Sequence, residues 1–300
     1  MAINPINTPK LSLVDFAQFK SQTLSSLFSA DPEDSASTDL FGGMPSQAST
    51  LFEKYLGAAG IPGAASAIPS AADVNSPFSA PGQNVMTILN RVDVSFKAQF
   101  SELSELKNRI AQQDDAAEAL AGIDVRTPDA EILAKVKTFL DTYNAGVNRF
   151  APSVAQGGVL EGSAEANRAR FSLMRDINNP LIGAGAGVRD GLSSLGLSVD
   201  AATGLASLDE GAFTAALAGN KGATVQTVVD FAKSFDATAD SLNAADSPQE
   251  RQLANLDKAI DWIEENRADI QKEFGPGEAA KPTAAFSKAA AAYYVLMAKQ

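Results

Sequence analysis

A handful of short segments carry residue types whose spacing invites chemistry. Gly183-Ala-Gly-Ala-Gly187 suggests a phosphate cradle. The dinucleotide fingerprint, however, needs glycine at the sixth place, and counting from Gly183 or Gly185 that place holds Val188 or Asp190, with no strand–helix–strand unit around it. The segment reads as a turn. Gly219-Asn-Lys-Gly-Ala-Thr224 lacks the spacing of a P-loop. Asp200–Glu210 resembles a calcium loop only in outline, because its third and fifth places, Ala202 and Gly204, offer no side-chain oxygen. A hairpin fits it better. Carboxylate pairs occur at Asp114-Asp115, Asp209-Glu210 and Glu264-Glu265. Two carboxylates suffice for a glycosidase, yet Glu264 and Glu265 fall on the outer side of a heptad helix, where charge keeps a surface wet.

The rest of the composition narrows the chemistry sharply. The 300 residues include no histidine and no cysteine. The commonest general base, the commonest transition-metal ligand and the thiol nucleophile are all missing. Catalysis by Ser-His-Asp or Cys-His sets and zinc held by Cys or His are excluded. No cofactor or metal is expected. The net charge of −12 argues against nucleic acid, whose phosphates call for Lys and Arg, and against anionic membrane surfaces. No apolar run approaches the roughly 20 residues a bilayer span needs. The opening Met-Ala-Ile-Asn-Pro-Ile-Asn-Thr-Pro-Lys has no basic stretch leading into an apolar one, so no ordinary signal peptide is expected.

The elements behind these residues are mostly helical. Residues 1–29 include an amphipathic segment, Leu11–Ser29, with Leu13, Phe16, Leu24, Leu27 and Phe28 on one side. Residues 30–83 are rich in Ala, Ser, Pro and Gly, with too little large apolar surface to offset ordering entropy, and read as a linker. In Asn84–Leu120, Val85, Leu89, Val92, Phe96, Phe100, Leu103, Leu106 and Ile110 step by three or four, a single apolar stripe. Thr127-Pro128-Asp129 predicts a helix start with a hydroxyl cap and proline in first position. That helix carries Ile132, Val136, Phe139, Leu140, Tyr143 and Val147 to about Phe150, with Pro152 breaking it. Ser163–Asn178 predicts another.

The end of the Gly-rich stretch Leu181–Asp200, where Leu192, Leu195, Leu197 and Val199 are interleaved, alternates like a short strand; Asp200–Gly204 is a turn and Leu205–Leu208 the returning strand. Ser207-Leu-Asp-Glu210 has capping-box spacing and predicts a helix through Phe213 and Leu217, followed by a separate one over Ala223–Leu242. Ser247-Pro248-Gln249-Glu250 is a full capping box. After it Leu253, Leu256, Ile260, Ile263, Ile270 and Phe274 form a heptad series in which Arg267 takes one place, the pattern of a coiled-coil seam. Gly275-Pro276-Gly277 ends it. Residues 282–300 form a last Ala-rich helix, leaving 84–281 as the helical core domain.

Three of these segments, in order, resemble the bacterial flagellar filament cap, or hook-associated, protein family. Phe96-Lys-Ala-Gln-Phe-Ser-Glu-Leu-Ser-Glu-Leu-Lys107 resembles the family's N-terminal coil helix. Val136-Lys-Thr-Phe-Leu-Asp-Thr-Tyr-Asn144 is similar to its V-x-x-F-V-x-x-Y-N helix. Gly191-Leu-Ser-Ser-Leu-Gly-Leu-Ser-Val-Asp200, running on through Gly204-Leu-Ala-Ser-Leu-Asp-Glu210, is similar to its L-G-I-x-x-D…G-x-L-x-L-D hairpin and helix. The large β-rich insertion that the family carries between the first two motifs is absent, since Leu120 to Thr127 joins them directly. The resemblance implies a helical core without outer domains, export through the flagellar secretion channel with no cleaved signal, and a place on the extracellular flagellum. It implies a homo-oligomer contacting flagellin or hook-associated proteins, with an export chaperone as a further partner.

The expectation is therefore a mainly α protein: an antiparallel helical bundle or coiled coil with a small β-hairpin. Its core is the pairing of Asn84–Leu120 with Pro248–Phe274, supported by Pro128–Phe150, through Phe96, Phe100, Leu103, Leu106, Phe139, Tyr143, Leu253, Leu256, Ile260, Ile263 and Ile270. Trp262, Phe286, Tyr293 and Met297 are candidate partner contacts, and both terminal segments are expected outside the bundle. The expected role is non-catalytic assembly of a cap-like or hook-associated subunit. A helical effector or translocator of a related secretion system is the alternative, and an acidic two-carboxylate hydrolase is a more distant rival.

Overall fold

The computed structural model describes residues 85–298. The readings made for residues 1–29 and 30–83 lie outside the described residues. Within them the chain is mainly helical with one small antiparallel sheet, as the periodicities predict. Helix α1 covers Val85–Ala121, α2 Asp129–Val154, α3 Ala164–Ile177, α4 Glu210–Asn243, α5 Pro248–Phe274 and α6 Ala284–Met297. Strands β1 (Leu197–Val199) and β2 (Ala206–Leu208) form the hairpin between α3 and α4, in register Leu197 to Leu208 and Val199 to Ala206.

The organising element is α1, which packs against α2, α4, α5 and α6. Long-range hydrogen bonds fix the directions. Lys107 Nζ reaches Glu250, and Arg267 Nη1 reaches Asn90 Oδ1, so α5 runs antiparallel to α1. Arg149 pairs with Glu102 while Gln113 Nε2 donates to the Tyr143 carbonyl, so α2 is antiparallel too. Asn243 Nδ2 donates to the Lys107 carbonyl, consistent with the same sense for α4. By contrast, Glu278 N donates to Thr87 Oγ1 and Lys97 Nζ to Tyr294 Oη, so α6 lies parallel to α1.

The expected seam exists. Leu253, Leu256, Ile260, Ile263 and Ile270 are buried, as are Phe96, Leu103 and Leu106. Burying a side chain of this size contributes about 1.5–3 kcal/mol. Phe100 departs from the expectation: it is half-buried, and its ring stands edge-on to Tyr293 at 5.4 Å, so it serves α6. The larger correction concerns α4. Phe139 of α2 meets Phe231 and Phe235 of α4 at 5.2 and 4.9 Å, both edge-to-face, and all three are buried. This aromatic trio makes α4 a full member of the core.

Local starts and stops also differ in detail. α2 begins at Asp129 without a side-chain cap; Thr127 Oγ1 instead accepts from Asp124 N in the preceding turn. The helix runs through Pro152 to Val154, since a proline within the last turn removes little of the ladder. α4 is capped by Asp209, which accepts from Ala212 N, and not by Ser207, which lies in β2 opposite Ser198. The two helices expected over 210–242 are one element with a break at Asn220 (φ −153°, ψ 81°), where the Asn220 side chain accepts from Ala223 N and recaps the second half. Ser247 caps α5 as predicted, accepting from Glu250 N, but the reciprocal half of the box is not formed, since Ser247 N donates to the Ala244 carbonyl and Glu250 pairs with Lys107. Ser163 caps α3 by accepting from Ala166 N.

Candidate functional site: the hairpin lock and the terminal-helix clasp

Two constellations hold the parts that the sequence patterns single out. The first joins α2 to the hairpin. The Asn144 side chain makes a two-way amide pair with the backbone of Ala206: Nδ2 donates to the Ala206 carbonyl and Oδ1 accepts from Ala206 N, each at 2.8 Å. β2 has its second edge free of any other strand, and Asn144 supplies the partner its backbone would otherwise lack. Beside it Tyr143 Oη donates to the Gly204 carbonyl at 3.0 Å. Burial raises the Tyr143 phenol to about 12, against the opposing pull of Arg170, so it stays protonated and able to donate. The turn itself is closed by Asp200, whose Oδ1 accepts from Ala202 N and Thr203 N. That carboxylate is occupied by the turn, which agrees with a hairpin and not a calcium loop. Gly204 takes the positive φ (77°) the turn requires.

The second constellation clamps α1, α5 and α6. Arg267, the heptad position with the wrong residue type, sends Nη2 to Asp93 Oδ2 at 2.6 Å and Nη1 to Asn90 Oδ1 at 2.8 Å. Lys97 is almost wholly buried and lies 3.0 Å from Asp93 Oδ1, 2.9 Å from Glu264 Oε1 and 3.0 Å from Tyr294 Oη, with its charge over the Tyr294 ring at 5.0 Å. Burial works against that charge. The bonds from Glu264, Tyr294 and Asp93 outweigh it and hold Lys97 above the ordinary lysine value. Glu264 is thus half of an ion pair, and no role as a catalytic acid follows for it.

Of the four candidate partner residues, two turn out to work inside the molecule. Tyr293 is buried between Phe100 and α6's own turn, and Phe286 packs on a small cluster of Ala98, Val159, Ala289 and Ala290. The Ala-rich face allows close helix approach, but onto α1. The terminal helix therefore belongs to the bundle and not outside it. Trp262 and Met297 are half-buried. Tyr294 and Val295 are the large apolar residues that α6 leaves outward, each more than half exposed.

The remaining candidates resolve as structural. Gly183 and Gly187 bracket a 3-10 turn at positive φ, and a Cβ on Gly183 would meet Thr227 of α4 at 2.3 Å, which explains the glycine without a phosphate. Asp114 stands near Asp236 and Asp240 of α4; burial first, then those charges, push its carboxyl up to about 6. Among the described residues no group of three or more acidic side chains is arranged to hold a metal, and no helix is long and apolar enough to cross a membrane.

Comparison with protein-family models, curated proteins and solved structures finds no match for this chain.

Proposed function

We propose that this chain is a non-catalytic structural subunit of the bacterial flagellum, cap-like or hook-associated, that works by assembling with copies of itself and with flagellin or hook-associated proteins. The observation that carries the reading is the hairpin lock. The Tyr-Asn pair ending the second resemblance motif bonds directly to the Gly204-Leu-Ala206 stretch of the third. Segments that resemble one family in order also form one physical unit, and residues without catalytic meaning acquire a reason for their spacing. The pairing of α1 with the heptad helix α5 supports the same reading.

Electron microscopy and light scattering of full-length protein, alone and with isolated filament ends, test it. A defined homo-oligomer seated on filament tips is the expected result. A chain that stays monomeric with filament ends present, and instead binds a host protein, overturns the reading in favour of an exported effector.

A further inference from the structure

Four of the five large apolar side chains left exposed among the described residues fall at two places. Phe171 lies on α3 with Leu181 just after it, and Tyr294 and Val295 lie together on α6, each more than half exposed. Single exposed apolar residues are ordinary. These two places differ in carrying charge of opposite sign around them.

On the outer face of α3, Arg168, Phe171 and Arg175 follow at steps of three and four, all exposed. Half-buried Met174 lies one turn from Phe171. Arg168 makes no hydrogen bond or ion pair among the described residues. Arg175 approaches the neighbouring Asp176 at 3.5 Å, and its side chain stays 72% exposed. From Ala166 to Arg189 the sequence holds four arginines against one acid, Asp176, which is buried. In a chain of net charge −12 this stretch is the exception.

Beside Tyr294 and Val295 runs an acidic row on α5: Asp257, Asp261 and Glu264, at steps of four and three. Its nearness to α6 shows at Tyr293. Burial first, then Glu264 and Asp257, push that phenol up to about 12, with Asp261 adding to them against the pull of Lys97. Glu264 already holds Lys97. Asp257 and Asp261 have no ion-pair partner among the described residues, and burial, then the charge of Asp261, hold Asp257 above its ordinary value. Asp257 to Glu264 and Arg168 to Arg175 each span seven residues, two helical turns or about 10 Å. The two rows match in length, in opposite charge, and in having exposed apolar side chains beside them.

We propose that α3 of one copy of this chain docks on the α5–α6 face of a second copy, with Arg168 and Arg175 along the Asp257–Glu264 row and Phe171 against Tyr294 and Val295. A second copy is the partner because the chain itself carries both halves of the match. The two faces differ, so the contact is head to tail and each copy both gives and receives. The inference rests on the self-assembly part of the proposed function and supplies its surface.

The experiment is sedimentation velocity of the full-length chain from micromolar to millimolar concentration, at about 50 and about 500 mM salt. Self-association that weakens with salt is the expected result. Arg168→Glu with Arg175→Glu forms one variant, and Asp257→Lys with Asp261→Lys a second. Each alone is expected to stay monomeric, while their equimolar mixture associates, because every copy then finds a face of opposite charge. Phe171→Ala should weaken association by about tenfold or more and keep the salt dependence. Melting curves report whether the variants fold. Where a charge variant melts early, Phe171→Ala and the salt series decide, and association indifferent to both overturns the inference. A wild-type chain monomeric throughout, charge variants that associate like wild type, or a mixture of folded variants that stays monomeric would also overturn it. Association through these faces without seating on filament ends would remove the flagellar reading and keep this one. Seating on filament ends that ignores all three variants would do the reverse.

Discussion

The two ends of α1 are held by opposite means. From Leu106 onward the helix is flanked by apolar side chains of α2 and α4, with the Phe139–Phe231–Phe235 trio behind them. From Val85 to Leu103 it buries apolar residues too, Leu89, Val92 and Phe96 among them, but a charge set is built in beside them: Asp93 and Lys97, buried, tied to Arg267, Glu264 and Tyr294. Aromatic burial is strong and tolerant of small shifts. A buried charge set contributes little net stability, because desolvation offsets the attraction, but it penalises every arrangement in which one member loses its partner. The apolar end supplies free energy, and the charged end supplies register for three helices that apolar contacts alone would let slide.

That contrast can be broken from the strong end first. Phe235→Ala should destabilise by about 3–5 kcal/mol in urea unfolding, since a fully buried ring leaves a void among close-packed neighbours. A change under one kcal/mol would mean α4 is not core. Ile260→Ala tests the seam between the ends and should remove about 2–5 kcal/mol; under half a kcal/mol would place Ile260 outside it. At the charged end, Asp93→Ala should remove about 2–3 kcal/mol by taking one partner each from Lys97 and Arg267. Replacing Asp93, Lys97 and Arg267 together by Leu, Met and Met should return most of that loss while broadening the amide spectra of α6. A triple variant as unstable as the single would show that the charges stabilise outright.

Smaller effects follow at the lock and the acidic contact. Asn144→Ala should cost about 1–2 kcal/mol and speed hydrogen exchange at Ala206 N, with the α1–α5 amides unaffected. Folding raises the Asp114 carboxyl from its ordinary 3.8 to about 6, so between those values the folded chain holds a proton the unfolded chain has released. Stability from this group therefore rises as pH falls through that window and is flat above it. Asp114→Asn should flatten the window and stabilise the protein at neutral pH; an unchanged pH profile would assign the effect elsewhere.

The sequence patterns carry the elements further than their partners. In Leu253 to Ile270, where one helix's own period governs the repeat, the buried face is as predicted, whereas Phe100 on α1 is only half-buried. The Ser247 cap is legible because its donor lies three residues away. Ser207 misleads for a related reason: the same spacing fits Asp209, and the pairing of Ser207 with Ser198 across the hairpin decides between them. The aromatic trio was invisible because Phe139 and Phe231 are far apart in sequence and each is ordinary alone. Arg267 looked like a gap in the heptad; its meaning needs Asp93 and Asn90 from another helix. The helix's own period marks Tyr143 and the resemblance takes in Asn144, but their bonds to Gly204 and Ala206 depend on a docking that no local period encodes.

The parallel docking of α6 on α1 has a kinetic side. Thr87, Asn90 and Lys97 close bonds with residues nearly two hundred positions later, at Glu278, Pro276 and Tyr294. Loop closure of that span must precede the reward of those contacts, and non-local pairing of this kind slows folding. A chain delivered N-terminus first would have α1 in hand long before the helix that seals its first turns. Until then Phe100 lacks Tyr293, and of its cluster Ala98 has only Val159. α6 follows the other described helices in the chain, so the bonds it makes to the first turns of α1 close after theirs can.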